Sequence, residues 1–376
     1  MRKRNYKTQK AWMVLMALLA LVLQGQSNPP GTKIYFPIMF NNWTPAPLYA
    51  TSYYIQNGDP AYMYDLGCRL GTRDAATPGQ QDSLVILDFA QMWVENSQYG
   101  ALGFEDPFNA GVWHFRSYAQ LQESAQFFAK GYWACSANDD ISQLTIGVGT
   151  NSFGFFNQTN RTEANLKVLA ADFGRNWAYM INNLNTWARQ NGYSSQVLFT
   201  GAIDIEWSGR ENNDGLRLWQ SSAIVKSWVD AFDTKDNNVS IFFNYGACVG
   251  CYETLDPNWK YITPDYWNID DVWFVSWGSK PAYAVPEIYS NNGTLARQWA
   301  VISEYGAKYK ASRIVFSGVM TQMQACWQRA GSDPSCASLD NTPDEGWQQL
   351  VYAVNSSVYT ISPSPRWVTD IKWQFK

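Results

Sequence analysis

Two carboxylates, Asp204 and Glu206, stand near the end of the run Val197–Gly209 (VLFTGAIDIEWSG). Read as a strand, the run sends alternate side chains to opposite faces. Val197, Phe199, Gly201, Ile203 and Ile205 make one face nearly all apolar. Leu198, Thr200, Ala202, Asp204 and Glu206 make the other, so both acids point the same way beside small residues. Their Cα atoms would lie roughly 6.6 Å apart, at about 3.3 Å per residue. A proton donor beside a second carboxylate is what glycoside hydrolysis needs. The plain alternative is a strand end with two solvated acids.

Other polar residues also close apolar runs. Asp88 ends LVILD, Asn244 and Tyr245 end IFFNY, and Ser276 and Trp277 end WFVSW. Ser317, Thr321 and Gln322 follow IVF, and Asp370 lies in a final alternating run. A buried carboxylate is costly unless it is paired or hydrogen-bonded. Asp88, Asp204 and Glu206 drawn together from neighbouring strands would therefore mean more than any one of them. Rival chemistries lack parts. The only histidine is His114, read as structural, and no G-x-S-x-G elbow occurs. A His-rich zinc site is excluded by count, calcium loops are absent, and Gly147-Val148-Gly149 lacks the third glycine of a dinucleotide fingerprint. The expectation is carboxylate chemistry with no cofactor and no metal.

The elements that must position these residues alternate. Strands are read at 83–90, 111–117, 143–150, 197–207, 239–246, 271–277, 313–319 and 366–375. Helical spacing marks 118–132, 162–191, 216–232, 295–309 and 345–358. Continuous apolar strands alternating with helices indicate a parallel sheet covered on both faces. Eight strands close naturally into an α/β, (β/α)8 TIM-type barrel, with function at the strand ends. An open doubly wound sheet is the alternative. Residues 28–80, rich in Pro, Asn, Thr and Tyr, read as an extended N-terminal arm, leaving 81–376 as the barrel domain.

Residues 1–27 read as a secretory signal. Arg2, Lys3, Arg4, Lys7 and Lys10 precede the apolar run Ala11–Leu23, and Gly25-Gln26-Ser27 supplies small residues for cleavage. An uncleaved anchor is the alternative; no later run is apolar for long enough to cross a membrane. Cleavage would make the chain more acidic than its formal −4, which argues against nucleic acid as a partner. Six cysteines in an exported chain favour disulfides, with 15 possible connectivities. Spacing suggests Cys326–Cys336 and Cys248–Cys251 as local bridges and Cys68–Cys135 as a long tie. Redox work by the C-x-x-C pair lacks a thioredoxin-like context. Nineteen tryptophans supply core, and flat faces on which sugars stack. Six Asn-x-Ser/Thr sequons begin at Asn42, Asn157, Asn160, Asn238, Asn292 and Asn355.

An Asp closing an early strand (VILDFAQ) and an Asp-x-Glu closing a middle one (AIDIEWSG) resemble the Asp-x-Glu barrel muramidases, glycoside hydrolase family 25, and related exported hydrolase-like domains. The resemblance implies Glu206 as proton donor, Asp204 and Asp88 as its partners, and Asn244, Tyr245 and Trp277 as substrate contacts. It implies a secreted hydrolase acting on peptidoglycan or another cell-wall or matrix polysaccharide. The alternatives are a non-catalytic carbohydrate-binding or surface protein on the same barrel, and a disulfide-linked structural exoprotein without a ligand.

Overall fold

The computed structural model describes residues 45–104, 113–136, 139–152, 162–205, 221–234, 240–256, 267–329 and 334–374. The chain divides after Thr44, and the unit from Pro45 onward is an α/β TIM-type barrel. Its strands in chain order are β1 (Ala50–Tyr54), β2 (Asp82–Glu95), β3 (Gln98–Phe104), β4 (Trp113–Ser117), β5 (Gln143–Asn151), β6 (Val197–Asp204), β7 (Phe242–Asn244), β8 (Ala282–Ala284), β9 (Gly318–Thr321) and β10 (Trp367–Trp373). Eight of them run parallel in the order β8-β7-β6-β5-β2-β1-β10-β9. The ring is completed beyond β8 by an extended segment. There Ser317 N donates to Ala284 O at 2.9 Å and Ile288 N to Met320 O at 2.9 Å. A single parallel bridge joins Glu287 to Met320.

The helices are α1 (Pro60–Ala76), α2 (Tyr118–Cys135), α3 (Glu163–Gln190), α4 (Ser222–Thr234), α5 (Ile269–Trp273), α6 (Thr294–Tyr309), α7 (Met323–Gln328) and α8 (Pro343–Asn355). Each forms for a local reason. Pro60 starts α1, with Asp59 accepting from Ala61 N at 2.9 Å. Thr162 caps α3, whose Leu166, Leu169, Phe173, Trp177, Ile181 and Leu184 recur at helical spacing and are buried. Thr342 and Glu345 form a capping box on α8. α1 and α2 touch backbone to backbone: a Cβ on Gly67 would lie 1.9 Å from Phe128 O, and one on Gly131 2.0 Å from Tyr64 O. A Cys68–Cys135 disulfide, with Cα atoms 4.9 Å apart, ties the same pair.

Three assignments are corrected. Residues 50–76 are not arm: β1 lies between β2 and β10, and α1 packs on α2. Its polar interior residue hides it, because Ser52 Oγ shares a 2.6 Å hydrogen bond with Thr369 Oγ1 and accepts from Ile86 N at 2.8 Å. Residues 113–117 are β4, which pairs antiparallel with β3 in a hairpin that extends β2; they are no barrel strand. Residues 271–277 are helical, because Asn268 and Asp271 form a capping box that turns DVWF into α5 and a π-helical turn. The barrel strand at that place is β8 instead. The expected signal, 1–27, lies outside the described residues.

Candidate functional site

The C-terminal ends of the strands form one mouth, and β2 reaches it through a bulge. The β2–β5 ladder keeps register to Asp88–Gly149, then slips to Gln91–Asn151. Ala90, inside the slip, has φ 68°, a left-handed conformation that costs a non-glycine residue about 1–3 kcal/mol. Local hydrogen bonds hold it. Ala90 N donates to Asp88 Oδ1 at 2.7 Å, and Thr150 Oγ1 donates to Ala90 O at 2.7 Å. Asp88, buried to 2 % exposure, is fixed by this turn.

Small residues in β5 and β6 leave room across the mouth. Gly149 pairs with Ala202 in register, and a Cβ on Gly149 would come 3.1 Å from Tyr245 Oη. Tyr245 fills that space, fully buried, and its hydroxyl donates to Thr150 O at 3.0 Å. Asp204 stands two residues above Ala202, paired in register with Asn151.

Asp204 borders a cavity of about 420 Å³ that Tyr54, Glu287, Tyr289, Gln298 and Gln322 also line. Glu287 is a mouth carboxylate absent from the sequence-based candidates. It is 5 % exposed, and Tyr289 Oη donates to its Oε1 at 2.7 Å. The segment that closes the ring between β8 and β9 places it. With 271–277 read as a strand, no strand end pointed to residue 287; the only signal was a lone acid in the apolar run VPEIY.

The electrostatics show these acids gathered around common neighbours. Burial pushes the Tyr54 hydroxyl well above its usual range, and the charges of Glu287, Asp88 and Asp204 push it further. Burial, then Asp88 and Asp204, do the same to Tyr245. Tyr289 is raised by burial and then by Glu287. Three tyrosines therefore stay protonated, as hydrogen-bond donors, beside three carboxyls.

The other candidates separate. Asn244 faces away from the mouth: its Nδ2 donates to Ser276 Oγ at 2.8 Å, and its Oδ1 accepts from Gly246 N at 3.1 Å. Trp277 lies at the opposite end of the barrel, where its Nε1 donates to Ser312 Oγ at 2.9 Å and its ring meets Tyr283 edge-on. Both positions are corrections to their expected place as substrate contacts. Asp370 is committed to structure, accepting from Thr321 Oγ1, Met323 N and Gln324 N at the start of α7. His114 sits exposed on β4. Glu206 lies outside the described residues.

Two disulfides flank the mouth. Cys248–Cys251 closes the turn after β7, and Cys326–Cys336 joins α7 to the following 3₁₀ turn. Gln298, 4 % exposed, ties α6 to the first of these by donating from Nε2 to Cys251 O at 2.7 Å. Its Oε1 has no hydrogen-bond partner among the described residues. A buried amide oxygen left so costs about 1–3 kcal/mol. Among the described residues no group of three or more His, Cys, Asp or Glu is placed to hold a metal ion.

Fold and site thus define a class: a TIM-type barrel with an acidic, tyrosine-walled mouth. No family model, curated protein or solved structure matches the chain.

Proposed function

We propose that this mouth is the catalytic site of an exported glycoside hydrolase that cleaves a cell-wall or matrix polysaccharide, peptidoglycan among the candidates. The observation that supports it best is the gathering of Asp88, Asp204 and Glu287 about the same buried tyrosines, two of the acids bordering an open cavity. Neighbouring carboxyls favour sharing a proton, and hydrolysis uses that arrangement. One carboxyl gives its proton to the glycosidic oxygen as the C1–O bond breaks. The other carboxylate either attacks C1 or takes a proton from the water that does. Tyr289 orients the Glu287 carboxylate, which suits Glu287 to the base or nucleophile role. By its resemblance, the muramidase-like Asp-x-Glu pattern makes Glu206 the donor, with Asp204 and Asp88 as its partners. The signal-like N-terminus and three disulfides support export to an oxidising compartment.

The test is reducing-sugar release from a panel of peptidoglycan and neutral polysaccharides. The unmodified chain should cleave at least one, and Asp204→Asn should lower that rate about 10²–10⁴-fold. No cleavage anywhere on the panel, or full turnover by Asp204→Asn, would sink the proposal. Glycan binding without cleavage would favour the non-catalytic carbohydrate-binding alternative.

A further inference from the structure

We infer that Tyr54 is a substrate-contacting residue of the mouth, its hydroxyl donating to an oxygen of the sugar bound beside Asp204 and Glu287. The inference rests on the glycoside reading and adds a neutral donor to the carboxylates. It comes from comparing the three tyrosines of the wall. Tyr245 commits its hydroxyl to Thr150 O at 3.0 Å, and Tyr289 commits its own to Glu287 Oε1 at 2.7 Å. Both side chains are buried. Tyr54 has no hydrogen-bond partner among the described residues. Nor is its hydroxyl walled in: the residue stays partly exposed and lines the cavity with Asp204 and Glu287. Of the three, Tyr54 is the one whose hydroxyl is left for a ligand.

The strands hold this side chain in place. Tyr54 closes β1, in register with Asp88 on β2 and with Trp373 on β10. Backbone hydrogen bonds fasten it on both sides: Ile55 N donates to Asp88 O at 2.7 Å, and Gln374 N to Tyr54 O at 3.3 Å. The ring packs on Trp373, with centroids 4.5 Å apart and planes 32° from parallel. Trp373 is itself clamped to α7, its N donating to Gln328 Oε1 at 2.8 Å and its O accepting from Gln328 Nε2 at 2.9 Å. A donor fixed before the substrate arrives loses little freedom on binding. Burial and the charges of Glu287, Asp88 and Asp204 oppose ionisation and outweigh Arg329, so the hydroxyl keeps its proton and can donate. Tyr53, one residue earlier, shows the contrast along the same strand. Its side chain points to the opposite face, near Arg69, Arg73 and Asp65 of α1.

The experiment measures kcat/KM of Tyr54→Phe and Tyr53→Phe on the polysaccharide that the unmodified chain cleaves best, with melting temperatures alongside. Phenylalanine keeps the ring and its packing on Trp373. Tyr54→Phe should lose about tenfold or more in kcat/KM, the loss of one hydrogen bond to the substrate, at an unchanged melting temperature. Tyr53→Phe should keep its rate. Full rate in Tyr54→Phe, or an equal loss in Tyr53→Phe, overturns the contact and leaves the hydrolase reading standing. A lowered melting temperature or failure to fold in Tyr54→Phe shows the hydroxyl committed to the fold and overturns the contact as well. The companion measurement is calorimetric binding of sulfur-linked oligosaccharides of glucose, galactose, mannose and N-acetylglucosamine, which resist hydrolysis. If no polysaccharide is cleaved but one of these binds, the hydrolase reading falls; binding about tenfold weaker to Tyr54→Phe then upholds the contact, and equal binding overturns it. Neither cleavage nor binding overturns both.

Discussion

The two ends of this barrel treat buried acid in opposite ways. At the floor, where helices feed into strands, Asp74 is buried and surrounded by donors. Arg73 reaches its Oδ1 at 2.6 Å, Ser83 Oγ its Oδ2 at 3.2 Å, and Tyr132 Oη the same oxygen at 3.4 Å. Arg366 pairs with Asp82 nearby, and Gln81 N donates to Ser142 Oγ at 2.8 Å. At the mouth, the charges of Asp88, Asp204 and Glu287 all reach the hydroxyls of Tyr54 and Tyr245. The floor spends its polar groups on holding helices to strands. The mouth keeps a strained turn, small residues and a cavity. That division matches the general rule for barrels, in which the floor serves stability and the mouth serves chemistry.

The largest effect should separate the ends most cleanly. Asp204→Asn should lose about 10²–10⁴-fold in hydrolytic rate while its melting temperature stays near that of the unmodified chain. Asp74→Ala should do the opposite, keeping its rate per folded molecule. Breaking a fully buried ion pair costs about 3–5 kcal/mol, and less here because Arg73 is 32 % exposed. Thermal melts and rates on both variants check this. Rate loss in Asp74→Ala alone would erase the distinction.

Next comes the floor-to-mouth order of the disulfides. Cys68–Cys135 closes 67 residues and Cys326–Cys336 closes 10. Chain entropy predicts a loss of about 4 kcal/mol for Cys68→Ser with Cys135→Ser and under about 3 kcal/mol for the shorter loop. Denaturant midpoints of the two double variants should fall in that order.

A pH titration tests the tyrosine wall. Tyr54, Tyr245 and Tyr289 are raised well above 10.0 by burial and nearby acids. The unfolded chain ionises these hydroxyls near 10, whereas the folded chain holds their protons. Their stabilising contribution is therefore whole below about pH 10 and is lost as pH rises from there toward the folded values. Tyrosinate absorbance should show these three appearing only with unfolding. The smallest effect belongs to Tyr245→Phe, which removes the hydrogen bond to Thr150 O and should cost about 1 kcal/mol in a denaturant titration.

Much of the barrel is legible before any coordinates. β2, β5 and β6 read as apolar runs because both faces of a parallel sheet are covered. α3 shows its buried face in its spacing. β1 is obscured because Ser52 serves as an internal hydrogen-bonding group, a role that composition cannot reveal. DVWFVSW misleads because β-forming side chains follow a helix cap, and the cap decides. That error moved a strand end and carried Trp277 to the wrong pole. Asp88, Asp204 and Tyr245 stand at the strand ends where the apolar runs place them. Glu287 and Gln298 sit on a connecting segment and a helix, and only the closed ring brings them to the mouth.

The measurement that bears most directly on the mouth as a carboxylate site is the turnover of folded Glu287→Gln on the polysaccharide that the unmodified chain cleaves best. Glutamine keeps the shape and can still accept from Tyr289, but cannot serve as base or nucleophile. The account predicts a loss of about 100-fold or more with the melting temperature little changed. Turnover equal to that of the unmodified chain would contradict it.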